Sequence, residues 1–218
     1  ISSVFLSEFV EKIENNAIPK STVIYCEAGT YAEKYANANG YNCVTVNDGG
    51  TVSDTGKFGV LSYEIIDGEA VITDCEEDYV GSITIPKQIG CYDVTSIGED
   101  AFMGCTEVAS IIIPDGITSI GDYAFFHWWE LSSIVIPDSV TKLGAYAFVN
   151  CVNLSSVVLS DNISYIGVGT FRSCSNLTSI KIPHSVESID ISAFEYCSSL
   201  DYVSIPVSLS NIGEFAFN

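Results

Sequence analysis

The chain is 218 residues long, 47% hydrophobic and 17% charged, enough apolar material for a sizeable core and too much for a disordered chain. Its formal net charge is −20, from 28 acidic and 8 basic side chains, which opposes binding to phosphate backbones or anionic lipid and favours a solvated acidic surface. No apolar run reaches the ~18 residues of a membrane helix, so neither nucleic-acid binding nor membrane insertion is expected.

Residues 1–47 read as a small unit of strand and helix. "STVIYC" (21–26) has strand character, and "TYAEKYANANG" (30–40) carries a capping box, Thr30 with Glu33, and a helix stop at Gly40. The turn-rich "NDGGTVSDTG" (47–56) places a linker over 48–57. "FGVLSYEIIDGEAVITDC" (58–75) reads as two strands around an Asp67–Gly68 turn. A hairpin over 58–80 is therefore expected to cap the rest of the chain.

From residue 81 to 218 the sequence repeats. Phe102, Phe125, Phe148, Phe171, Phe194 and Phe217 recur every 23 residues. Ala precedes five of them, with Thr170 the exception, and Gly stands four residues before five of them, with Asp190 the exception. Val108, Leu131, Leu154, Leu177 and Leu200 open successive units, and an apolar pair such as Ile134 and Ile136 follows each. Pro ends four of the five pairs and Ser160 the other. A period in the twenties fits one coil of a solenoid. "LSSIVI" alternates as a strand with one buried face, and Pro stops it because it cannot donate to a ladder. A second apolar pair and a Gly turn follow, and the Phe ring points inward to stack on its neighbours.

A unit such as "LTSIKIPHSVESIDISAFEYCSS" resembles the BspA-type leucine-rich repeat of bacterial surface proteins. The resemblance implies a leucine-rich-repeat solenoid of 23-residue coils, rich in strand, with a parallel β-sheet on the concave face. It implies a place outside the cell or on its surface. It also implies a non-enzymatic role in binding or adhesion, to a protein, matrix or glycan partner. The alternative is a structural spacer whose binding is carried by other domains. The first unit departs from the pattern: "IPKQIGCYDVTSIGEDAF" holds five extra residues between Pro86 and Phe102, as the opening unit of an array does in this family. A strand followed by a short "SYAEKYA..NG" helix usually closes an array there. Residues 1–47 are accordingly expected to close a preceding array, and the chain to be a fragment of a longer protein.

The residues do not assemble a catalytic motif. His127 and His184 lie in different repeats, no C-x-x-C occurs, and "GVGTF" (167–171) is the repeat turn and not a phosphate loop. "CEEDY" (75–79) reads as solvated loop charge and not a calcium site. Asn153, Asn162 and Asn176 open N-x-S/T triplets only because the repeat itself reads "NLSS". No metal or cofactor is expected. Cys105, Cys151, Cys174 and Cys197 stand three residues after the repeat Phe, so free buried thiols are expected there. Cys26, Cys43, Cys75 and Cys91 fall outside that column, and a Cys26–Cys43 bond is conceivable without further support.

Two features suggest contact surfaces. "FHWWEL" (126–131) holds both tryptophans of the chain beside His127. Trp128 falls in the Cys column and Trp129 in a mostly polar slot, so either both rings pack against the adjacent loop or at least one indole reaches solvent as a contact. The outward strand position holds Ile112, Val135 and Val158 in three consecutive coils, an apolar stripe on the concave side beside the tryptophans.

Overall fold

The computed structural model describes residues 3–6, 10–14, 17–27, 30–46, 54–90 and 92–218. Strands β1 (Ser3–Leu6), β2 (Val23–Glu27) and β3 (Cys43–Val46) pair in parallel, β2 between the other two. Helix α1 (Tyr31–Ala38) connects β2 to β3. The Glu33 amide donates to Thr30 Oγ1 at 3.3 Å, the side-chain cap expected at the helix start. At the other end Gly40 takes φ +65° and the Tyr41 amide closes on the Ala36 carbonyl, a left-handed stop that favours glycine.

Strands β4 (Thr55–Phe58), β5 (Leu61–Ile66) and β6 (Glu69–Cys75) form an antiparallel meander. Asp67 and Gly68 both have positive φ, 53° and 83°, which matches the twist of the flanking strands. Of the expected linker 48–57, residues 48–53 lie outside the described residues. Its last residues join β4, which pairs with β5 and meets β3 at Val44 and Phe58. The cap is therefore three-stranded, and one sheet runs from the first strand of the chain into the repeats.

Each repeat contributes two strands. The first strands are β7 (Gly81–Thr84), β10 (Val108–Ile112), β12 (Ser133–Val135), β14 (Ser156–Val158), β16 (Ser179–Lys181) and β18 (Tyr202–Ser204). The second strands are β9 (Tyr92–Ile97), β11 (Ser119–Ile120), β13 (Lys142–Leu143), β15 (Tyr165–Ile166), β17 (Ser188–Ile189) and β19 (Asn211–Ile212). All pairings between coils are parallel. The short strand β8 (Gln88–Ile89) folds back antiparallel on β9, and this small hairpin takes up the extra residues of the first unit. The whole is a solenoid of about eight turns with coils of ~23 residues.

The remaining side of each coil is a turn with its own hydrogen-bond ladder. Residues two before and two after the Phe have positive φ: Tyr123 and His127, Tyr146 and Asn150, Ser192 and Tyr196. Left-handed backbone costs about 1–2 kcal/mol for a residue with a Cβ. The ladder offsets this, because the Tyr123, Phe125 and His127 amides donate to Ala145, Ala147 and Val149 of the next coil. The repeat Gly lies where coils touch. A Cβ on Gly144 would stand 2.3 Å from the Gly121 carbonyl carbon, so no side chain fits there.

The six Phe rings stack in one row, with centroids 4.9–5.4 Å apart and planes within 10°. Five are buried, and Phe217, last in the row, is 40% exposed. Around the row the core is continuous from Val44 to Ala216. The first-strand sheet is less regular than expected. Its ladders form in pairs, β7–β10, β12–β14 and β16–β18.

Candidate functional site

The turn side of the solenoid carries an exposed aromatic group. The two adjacent tryptophans part company there. Trp128 is fully buried, at 0% exposure. Its ring lies 5.4 Å from both Phe102 and Phe125, and its indole N–H donates to the Val108 carbonyl. In the next coil Cys stands at this position, and the Cys151 thiol donates to a different carbonyl, that of Phe125. The first-strand ladder is interrupted between β10 and β12 just as it is between β14 and β16, so the larger ring is taken into the core with no interruption peculiar to its coil. Trp128 is therefore removed from the expected contact residues.

Trp129 is 50% exposed. His127 sits 6.0 Å from it, ring to ring, and stacks on Phe126 at 3.8 Å. The left-handed backbone at His127 (φ 58°) throws its side chain outward, and the Asn150 amide nitrogen, 2.7 Å from His127 Nε2, holds the ring in place. Tyr123 extends the group by an edge contact to Phe126 and a stack on Tyr146 at 5.1 Å. Phe126, His127 and Trp129 line one wall of an open cleft of about 460 Å³. Met103, Gly104 and Thr106 of the previous coil form its floor, and Asp74, Glu77 and Asp100 its acidic rim. Glu77 packs its side chain over Gly104, where an added Cβ would stand 3.2 Å from it. Of the "CEEDY" carboxylates, Glu76 pairs instead with Lys57 at 2.9 Å.

The second expected surface is separate. Ile112, Val135 and Val158 project from β10, β12 and β14 with exposures of 61%, 61% and 53%. Val135 and Val158 are direct cross-strand neighbours. None of the three lines the Trp129 cleft. The sequence reading missed the acidic rim, because Asp74 and Glu77 come from the cap and reach the cleft only through packing. Among the described residues, no group of three or more His, Cys, Asp or Glu is placed to hold a metal ion.

The thiol column is buried and unbonded. Cys151, Cys174 and Cys197 donate to the Phe125, Phe148 and Phe171 carbonyls at 3.1–3.2 Å. Burial pushes the Cys151 thiol up to about 12 and Cys197 up to about 11. Cys105 is likewise buried and free. Cys91 lies outside the described residues.

Among solved structures, a leucine-rich cell surface protein from Faecalibacterium prausnitzii A2-165 is 29% identical, with a TM-score of 0.65. That match covers 75% of this chain, which spans 52% of the Faecalibacterium protein. A leucine-rich repeat protein of T. pallidum is 26% identical with a TM-score of 0.61, over 71% of this chain and 83% of that one. A leucine-rich repeat protein from Eubacterium ventriosum shares the fold along 100% of this chain and 58% of its own, at a TM-score of 0.67 and 18% identity. No curated protein matches. The model of the BspA type leucine-rich repeat region matches six copies over residues 79–218. Stacked Phe rings, parallel ladders and that match agree, and the chain belongs to the BspA-type leucine-rich repeat family of bacterial surface-protein type.

Proposed function

We propose that this chain is a non-enzymatic, extracellular binding module that contacts its partner through the Trp129 cleft. The half-exposed indole supports the reading most. With half of its surface in water, the ring forgoes roughly 1–1.5 kcal/mol of burial, while its neighbour Trp128 is fully packed. The leucine-rich repeat fold is typically a non-catalytic scaffold. The cleft pairs aromatic faces with three carboxylates, which suits a lysine or arginine presented by a protein partner. The net charge of −20 draws such a partner in. A glycan stacking on Trp129 is the other partner class that the aromatic wall accommodates. The exposed stripe of Ile112, Val135 and Val158 offers a second apolar surface to a large ligand.

A spacer role is favoured by one feature, the continuous ring stack, which makes the coils a stiff column. The two readings separate in a binding screen of the full chain against immobilised matrix proteins and glycans, repeated with Trp129→Ala. The binding reading expects a hit that weakens at least about tenfold, or about 1.4 kcal/mol. Stability should stay within about 0.5 kcal/mol of the parent, as for a surface change. Unfolding of the coil by Trp129→Ala, or binding that ignores it, rules out the cleft. No hit at all favours the spacer.

A further inference from the structure

The amino-terminal unit holds a pair of cysteines whose geometry is independent of the Trp129 cleft. On the paired strands β2 and β3, Ile24 stands opposite Cys43 and Cys26 opposite Thr45. Cys26 and Cys43 are thus diagonal neighbours on one face of the sheet. Their sulfurs lie 3.0 Å apart, both buried. With Ile24, Ala32, Ala36 and Tyr41 they form a small core under α1, distinct from the main one. Cys151, Cys174 and Cys197 of the repeat column stand differently, each donating to a carbonyl of the coil before, while Cys105 shares a hydrogen bond with the Cys75 thiol of the cap.

We propose that Cys26 and Cys43 are a disulfide site, oxidised by a small-molecule disulfide of the glutathione class, and that the bond staples β2 to β3 across α1. A disulfide has a sulfur–sulfur length of about 2.0 Å, so the sulfurs need about 1 Å of further approach, and because diagonal neighbours usually stand about 7–8 Å apart, β2 and β3 shift locally to admit the bond. Cys26 is the attacking group. The hydrogen bond from the Cys43 thiol draws the Cys26 pKa below its ordinary value, against the opposing effect of burial, and the thiolate is the nucleophile. Cys26 loses its proton to water, its sulfur attacks the oxidant disulfide, and one oxidant thiolate leaves. Cys43, deprotonated in turn, attacks the Cys26 sulfur of the mixed disulfide and expels the second oxidant thiolate. The two cysteines lose two electrons and two protons, and the oxidant departs as two thiols. The oxidant gains access when α1 lifts, because a core this small opens without disturbing the repeats. The bond persists only in oxidising surroundings. It closes a loop over residues 27–42, which contain the whole of α1.

The test refolds the reduced full chain in oxidised and reduced glutathione. Free thiols are then alkylated in denaturant without reduction, and the peptides are mapped by mass. The expected product is a peptide linking Cys26 to Cys43, with Cys151, Cys174 and Cys197 alkylated. Exchange of the β2 and β3 amides, which requires those strands to separate, should be roughly a hundredfold slower than in the reduced chain, from the closure entropy of a loop of this size. Alkylation of both Cys26 and Cys43, or their recovery only as glutathione adducts, overturns the proposal. A link without slower exchange overturns the staple. In Cys43→Ser, Cys26 should end alkylated or glutathionylated. A bond from Cys26 to any other cysteine would show that the strand register does not set the pairing.

Discussion

One phenylalanine per coil joins the buried row, and Phe148, between two others, shows what that position is worth. Its ring lies 4.9 Å from Phe125 and 5.3 Å from Phe171, fully buried. Phe148→Ala leaves a cavity in the middle of the row and should lower stability by about 3–5 kcal/mol in urea unfolding. A loss under about 1 kcal/mol would mean that the row is not core. Trp128 and Trp129 make the complementary point. The repeat register puts Trp128 in the Cys column and Trp129 in a polar slot, which is enough to order their exposure. An inward Trp128 overpacks a close-packed stack unless the coil distorts. How the ring is accommodated is tertiary: it packs against Phe102 and Phe125, and the Val108 carbonyl receives its N–H.

At the scale of the element, the turn ladder and the thiol column run side by side. Both came from the repeat period, yet the left-handed residues two before and two after each Phe were not legible, because Tyr, His, Asn and Ser occupy them without a shared side-chain chemistry. The coil with Ser160 and Thr170, two of the departures from pattern, is also where the second-strand ladder stops, between β13 and β15. Thr170 Oγ1 donates to the Gly167 carbonyl at 2.9 Å, and Ser160 Oγ to the Val140 carbonyl at 2.6 Å. These hydroxyls satisfy carbonyls inside a dry core. The thiols carry a pH dependence. Folding raises the Cys151 pKa from its ordinary 9.0 to about 12 and that of Cys197 to about 11, in each case first by burial. Below pH 9 both folded and unfolded chains keep these protons, and stability does not respond. Above it the unfolded chain loses them first, so stability falls as pH rises toward 11 and 12. Urea midpoints should drop over that window, and less steeply in Cys151→Ala. Equal slopes in the two proteins would remove the thiols as the cause.

For the whole molecule, charge dominates. The chain carries −20, and the ion pairs among the described residues engage only Lys12, Lys57 and Arg172. The remaining acidic charge is mutually repulsive at low salt. Raising ionic strength from about 10 mM to about 150 mM shortens the Debye length from about 30 Å to about 8 Å. The thermal midpoint should therefore rise. A midpoint that falls or stays level would show that the carboxylates are already too far apart to repel. The cap contributes Asp74 and Glu77 to this surface beside Trp129, which places part of the acidic charge at the candidate contact.

The sequence alone determined the coil length, the inward Phe row, the Asp67–Gly68 hairpin and the helix that ends at Gly40. All of these are periodic or local: a side chain recurs in one register, or a turn needs a residue with the right φ. Tertiary structure decided the rest. It set three cap and turn carboxylates around one cleft, and separated that cleft from the Ile112, Val135 and Val158 stripe. It also brought Cys26 against Cys43 by the register of two strands joined through a helix. Each of these depends on which residues of different coils or strands end up side by side. That is fixed by packing and hydrogen-bond register between segments, which the spacing within one repeat does not encode.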